Sequence, residues 1–227
     1  MAVPPEDGVE THASHDNARE RAAEAASKGL GPRLDTNGTR ALLEAVESDP
    51  DARVRATALA ALVRRAPKPR ARVAWQHAAR DDDASVRLRA VELAPLLSTP
   101  STRATLTAVV LVLLDDHAPL VAEAAAFALG ELGAARASDV DVVDALARVT
   151  TGHDDPLVRE AAVAALGSIG DDRALPAVLA ATRDRPAIRR RAVLALAAFD
   201  GPEVEAALTR ALEDTDWQVR QAAEDLS

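Results

Sequence analysis

Six short segments of this chain share one pattern at nearly constant spacing, and a period of that kind settles the fold class before any residue is weighed singly. The segments are Asp51-Ala52-Arg53-Val54-Arg55, Asp83-Ala84-Ser85-Val86-Arg87, Ala118-Pro119-Leu120-Val121-Ala122, Asp155-Pro156-Leu157-Val158-Arg159, Arg185-Pro186-Ala187-Ile188-Arg189 and Asp216-Trp217-Gln218-Val219-Arg220. Their β-branched anchors lie 32, 35, 37, 30 and 31 residues apart, and four residues after each stands an alanine: Ala58, Ala90, Ala125, Ala162, Ala192 and Ala223. An alanine at one fixed offset marks a point where two helix axes pass too closely for a larger side chain.

The residue types around the anchor explain themselves as a helix start. Asp51, Asp83, Asp155 and Asp216 occupy the N-cap position, where a carboxylate accepts from the first free amides. Pro119, Pro156 and Pro186 follow at the first helical position, where a missing N–H costs nothing. From the anchor onward, apolar residues at offsets 0, 4, 5 and 8, such as Val158, Ala162, Val163 and Leu166, trace a helical stripe. Upstream of each anchor lies another amphipathic stretch: residues 39–47, 70–80, 102–114, 140–150, 174–183 and 203–213. Breakers separate the pairs: Ala66-Pro67-Lys68-Pro69, Ser98-Thr99-Pro100, Gly130 to Gly133, Gly167 to Gly170 and Asp200-Gly201-Pro202. The glycines in these stretches read as helix ends.

The expected fold is therefore all-α: a right-handed α-solenoid of about six helical hairpins, with repeats at about 39–66, 68–98, 101–133, 139–170, 173–200 and 202–227. Composition agrees. Aromatic residues are only 2% of the 227, so the core must be built from Ala, Leu and Val, which suits thin stacked layers. Residues 1–15 read as a disordered tail and residues 16–30 as a polar helix capping the first repeat. At the other end, Glu224 stands where the other repeats carry an apolar residue, so the last helix expects water on that side.

A net charge of −9 opposes sequence-blind binding to a phosphate backbone or an anionic membrane. Without cysteine there is no disulfide, thiolate metal site or cysteine nucleophile. The N-terminal stretch has no apolar core of a secretory signal, and the longest apolar run, residues 108–114, is too short to cross a bilayer; cytoplasmic residence is the expectation.

The repeat resembles the HEAT-repeat family, in the short prokaryotic form often described as HEAT-like or phycobilisome-lyase-like. The resemblance runs over about residues 39–227 and is closest from Asp154 to Gly167; the third repeat departs from it, with Ala122 in the place of arginine. It implies that the caps and arginines, Asp51, Arg55, Asp83, Arg87, Asp155, Arg159, Arg189, Asp216 and Arg220, form a structural ladder between repeats. It also implies that the second helices line a concave face.

Two readings of function follow. The first is a non-catalytic scaffold or adaptor whose concave helix row binds a protein, with no cofactor; its partner is expected to be a basic or amphipathic segment. The alternative is a lyase-like or cofactor-handling protein related to bilin lyases. Catalytic Ser-His-Asp and glycine-rich phosphate motifs are absent, and none of the five histidines is followed by glutamate, unlike the iron-binding His-Glu pairs of the HEAT-like hydroxylase. His117 and His153 lie in neighbouring turns beside aspartates, where a metal site is conceivable, although solvated turn histidines are the commoner case.

Outward positions of the second helices fall at offsets 2 and 6 from the anchor. They nominate Glu92, Glu123, Phe127, Glu160, Ala164, Arg190 and Leu194 as the binding face: an apolar strip of Phe127, Ala164 and Leu194 with acidic neighbours. The competing reading is that these side chains tuck against the adjacent repeat.

Overall fold

The computed structural model describes residues 9–30, 34–133 and 140–226, and among them it contains thirteen α-helices and no strand. The chain divides into two compact units, Met1–Leu97 and Ser98–Ser227. The boundary falls at the Ser98-Thr99-Pro100 breaker, between the second and third repeats.

The first unit holds α1 (Val9–Leu30) and two hairpins, α2 (Thr36–Ser48) with α3 (Ala52–Arg65) and α4 (Lys68–Ala78) with α5 (Ala84–Leu93). The second holds four hairpins. These are α6 (Arg103–Leu113) with α7 (Pro119–Leu132), α8 (Val140–Gly152) with α9 (Pro156–Ile169), α10 (Leu175–Ala181) with α11 (Pro186–Ala195), and α12 (Pro202–Ala211) with α13 (Trp217–Glu224). Short 3₁₀ turns extend α5 and α11 and precede α10. The period thus gives the six pairs.

At the N-terminus the expectation needs correction. Residues 9–15, read as tail, belong to α1, because no glycine or proline interrupts the sequence between Gly8 and Gly29. Residues 1–8 lie outside the described residues, as does 134–139. The helix α1 packs along α3, and its Ala18 and Ala25 are buried.

Within each unit the second helices pack side by side, and the alanine four residues past each anchor is part of the buried core. All six are completely inaccessible to solvent. Gly130 and Gly167 lie at a contact with the next second helix rather than ending their own. A Cβ built on Gly167 would lie 2.7 Å from the Cβ of Ala195, and one on Gly130 would lie 3.1 Å from the Cα of Ala165. The helix ends fall three residues later, at Gly133 and Gly170, whose positive φ of 66° and 64° favours glycine.

The arginine after the anchor ties each layer together. Its Nη1 donates to carbonyls of its own turn: Arg55 to Asp49 at 2.8 Å, Arg159 to His153 at 2.7 Å, Arg189 to Asp184 at 2.9 Å and Arg220 to Asp214 at 2.7 Å. Its remaining nitrogens make a two-pronged bond to an aspartate of the next repeat: Arg55 to Asp81, Arg159 to Asp184 and Arg189 to Asp214, all at 2.7–3.0 Å. Arg21 of α1 makes the same bond to Asp49.

The expected ladder is therefore corrected at its acidic end. Asp51, Asp83, Asp155 and Asp216 are N-caps, accepting from the amides of Arg53, Ser85, Leu157 and Gln218. The carboxylates that receive the arginines stand one or two residues earlier, at Asp49, Asp81, Asp184 and Asp214. A carboxylate two residues before the cap can hold both the cap's own amide and the neighbour's guanidinium, and Asp49, Asp81 and Asp214 do so. In the third repeat the cap position is Ala118, which has no side-chain acceptor, while Asp116 accepts the Ala118 amide as Asp49, Asp81 and Asp214 accept theirs.

At Asp184 and Asp214 the arginine hydrogen bond outweighs partial burial and holds the carboxyl below its ordinary range. At Asp49 and Asp81 burial is the largest single influence and pushes upward, but the arginine and backbone hydrogen bonds together overcome it. Asp51, bonded to Arg53, is lowered to about 2. A carboxyl whose pKa is depressed on folding stabilises the fold fully above its unfolded value, about 4, and loses that contribution as pH falls through the folded value.

Two measurements check this account. Thermal melts from pH 7 to pH 2 should be level above about pH 5 and fall below about pH 4. Asp184→Asn with Asp214→Asn should lower the neutral plateau, by roughly 1–3 kcal/mol per rung, and make the acid limb shallower; an equally steep limb would contradict the assignment. For the packing, Gly167→Ala should lower the melting temperature despite its better helix propensity, because overpacking costs about 1–3 kcal/mol against a gain of about 1. Gly152→Ala, where a Cβ meets nothing within 4 Å, should raise it slightly.

Candidate binding surface

The positions left over from stacking define the surface. In the second unit α7, α9, α11 and α13 pack in sequence, so their outward residues form a row across four helices. Phe127 is 47% exposed, Ala164 and Leu194 are half-buried, Glu123 and Glu160 are half-buried and Arg190 is exposed. Glu92 belongs to the other unit: it lies on α5, exposed and paired with Arg89 at 2.6 Å.

Leu194 answers to both readings of the strip. One side packs on the cluster of Val193, Ala211, Val219, Ala222 and Ala223; the other lines two shallow grooves. The first, about 390 Å³, has Ala164, Gly167 and Ala195 along it with Ser168 and Arg191 at its margin. Its shape follows from the close helix approach, since small residues leave a trough where two backbones meet. The second, about 230 Å³, runs between Leu194, Arg190, Gln221 and Trp217.

Trp217, 64% exposed, is the main functional candidate that the offsets missed. It stands at the first helical position, where three other repeats have proline, and an aromatic side chain there has no packing duty. That contrast was the available signal.

The charges of the row change sign along it. Glu123 is pushed up by burial and further by the neighbouring carboxylates of Asp155 and Glu160. Arg191 reaches Glu160 only at 3.5 Å, and its Nε is buried without a partner. On α11, Arg190 has no charged partner among the described residues.

The turn histidines do other work. His153 stands where the ladder aspartate would be, and its Nδ1 accepts the Asp155 amide at 3.1 Å. His117 is exposed, 3.5 Å from Asp116. No group of three or more His, Cys, Asp or Glu placed to hold a metal occurs among the described residues, and no described helix is long and apolar enough to cross a membrane.

Comparison with known proteins bears on the fold. No curated protein matches the chain. Among solved structures, YibA of Escherichia coli is 13% identical with a TM-score of 0.62, over 98% of this chain and 75% of that one. A chain in a structure of Kap95p with RanGDP is 15% identical with a TM-score of 0.54, over 89% of this chain but only 37% of that one. Human deoxyhypusine hydroxylase is 21% identical with a TM-score of 0.44, a likeness too loose to build on. The family model for HEAT repeats matches residues 106–187 and 178–225, together more than half of the chain and all within the second unit. The α-helical hairpins, their ladder and this match agree: the chain belongs to the HEAT-repeat family.

Proposed function

We propose that this protein is a non-catalytic scaffold that binds a protein segment on the second-helix row of its second unit. The observation that carries the reading is the exposure of two aromatic side chains, Phe127 and Trp217, on a row whose packing needs neither. Aromatics are scarce in this chain, and the other two, Trp75 and Phe199, are buried. Trp75 donates its indole N–H to the Ala90 carbonyl at 2.6 Å inside the second hairpin. Exposed aromatic anchors beside shallow apolar grooves are the usual carriers of protein-binding energy. The family supports the reading, since Kap95p, a protein of similar fold, is described by its binding to RanGDP.

The test uses side chains that the fold can spare. Phe127→Asp with Trp217→Asp should leave helicity and melting temperature unchanged while reducing recovery of the partner from the native host by at least about tenfold, the range expected for removing two anchors. Equal recovery by the folded variant would overturn the assignment. Leu194 is a poorer choice because it also packs on the last hairpin.

A further inference from the structure

The offsets that define the row also sort it by chemistry. Glu123, Glu160 and Arg190 share offset 2 on α7, α9 and α11; Phe127, Ala164 and Leu194 share offset 6. One helical turn, about 5.4 Å, separates the two tracks, so a charged track and an apolar track run side by side across the helices. Among the described residues neither end of the charged track makes an ion pair. Glu123 sits near the carboxylates of Asp155 and Glu160 with no cation among the described residues bonded to it, and Glu160 has only the long contact to Arg191. Arg190, exposed beside Trp217, shares the second groove with Asp225, whose carboxylate accepts from the Gln221 side-chain amide at 3.0 Å.

We propose that this row binds a peptide segment with a bipolar charge pattern: basic side chains over Glu123 and Glu160, apolar side chains against Leu194, and an acidic side chain over Arg190 beside Trp217. The inference rests on the binding role argued above and makes the partner specific, since a uniformly basic segment would meet Arg190 with like charge. Neighbouring helices lie about 8–10 Å apart and an extended chain advances about 3.3 Å per residue, so the segment crosses one helix every three residues or so. Its basic and acidic ends are then about three to six residues apart. Like charges opposed across an interface penalise wrong partners more than matched ones reward the right one.

Synthetic peptides test this directly. Three acetylated and amidated peptides of about twelve residues, the span of the row, suffice. One carries lysines at one end, leucines in the middle and glutamates at the other; its isomer interleaves lysine and glutamate; the third replaces every glutamate with lysine. Fluorescence anisotropy at low salt should show the block peptide binding about tenfold tighter than its isomer, an advantage that shrinks at high salt. Arg190→Glu, a change at an exposed position, should reverse the order and make the all-lysine peptide the tightest. Equal binding of the two isomers, tightest binding of the all-lysine peptide to the unaltered protein, or binding of none would overturn the proposal. If partner recovery still depended on Phe127 and Trp217 in any of those cases, the binding role would stand and only the charge pattern would fall. Recovery independent of both aromatics would remove the role as well.

Discussion

Close approach of the second helices governs everything else in this molecule. The alanine four residues past each anchor is sealed from solvent, and at Gly167 the backbone of one second helix passes so near Ala195 of the next that an added Cβ would lie 2.7 Å from that residue's own Cβ. A methyl at Gly167 would thus collide with Ala195, and one at Gly130 would press on Ala165. A short separation between axes leaves no room for a thick aromatic core, so the near absence of aromatics and the stacking are one fact. It also leaves shallow troughs, not deep pockets, on the outward face, and a surface of that shape suits an elongated partner better than a small enclosed ligand.

Arginine turns that packing into a repeated register. A guanidinium has enough donors to satisfy carbonyls of its own turn and still grip a carboxylate of the next repeat with two more. Ammonium lacks the fork, which fits arginine at five of the six positions after the anchor. The join between the third and fourth repeats shows the pairing by its loss. Ala122 replaces the arginine and His153 the receiving aspartate, so neither charge is stranded. His153 keeps the local half of the task by accepting the cap amide, and Arg148 with Asp115 supplies an exposed ion pair across the same two repeats. An exposed pair of that kind contributes little to stability, about 0–1 kcal/mol, so this join relies on helix packing.

Because stacking consumes the repeated positions, what distinguishes this protein from another solenoid lies where the repeats differ. Offsets 2 and 6 change from repeat to repeat in both size and charge, and so does the first helical position, where a tryptophan stands once in place of proline. The sequence made the first two visible because period and helix geometry assign them outward. It hid the third, because helix-start positions are ordinarily explained by capping. It also misplaced the acidic ends of the ladder, since a cap aspartate and a ladder aspartate differ by a step of one or two residues and look equally at home in an acidic turn.

Local rules were thus enough to determine six helical hairpins, their caps, the buried alanines and the arginines, each of which follows from periodicity or from the needs of free amides at a helix start. Tertiary structure decided which aspartate meets which arginine, that two of the glycines lie at an interhelical contact, and that Leu194 is shared between core and groove. It also assigned Glu92 to the first compact unit, while the other residues of the proposed face belong to the second. Those outcomes depend on distances between residues about 25 or more apart in the chain, set by how closely neighbouring helices pack, and a repeat pattern specifies that closeness only in kind.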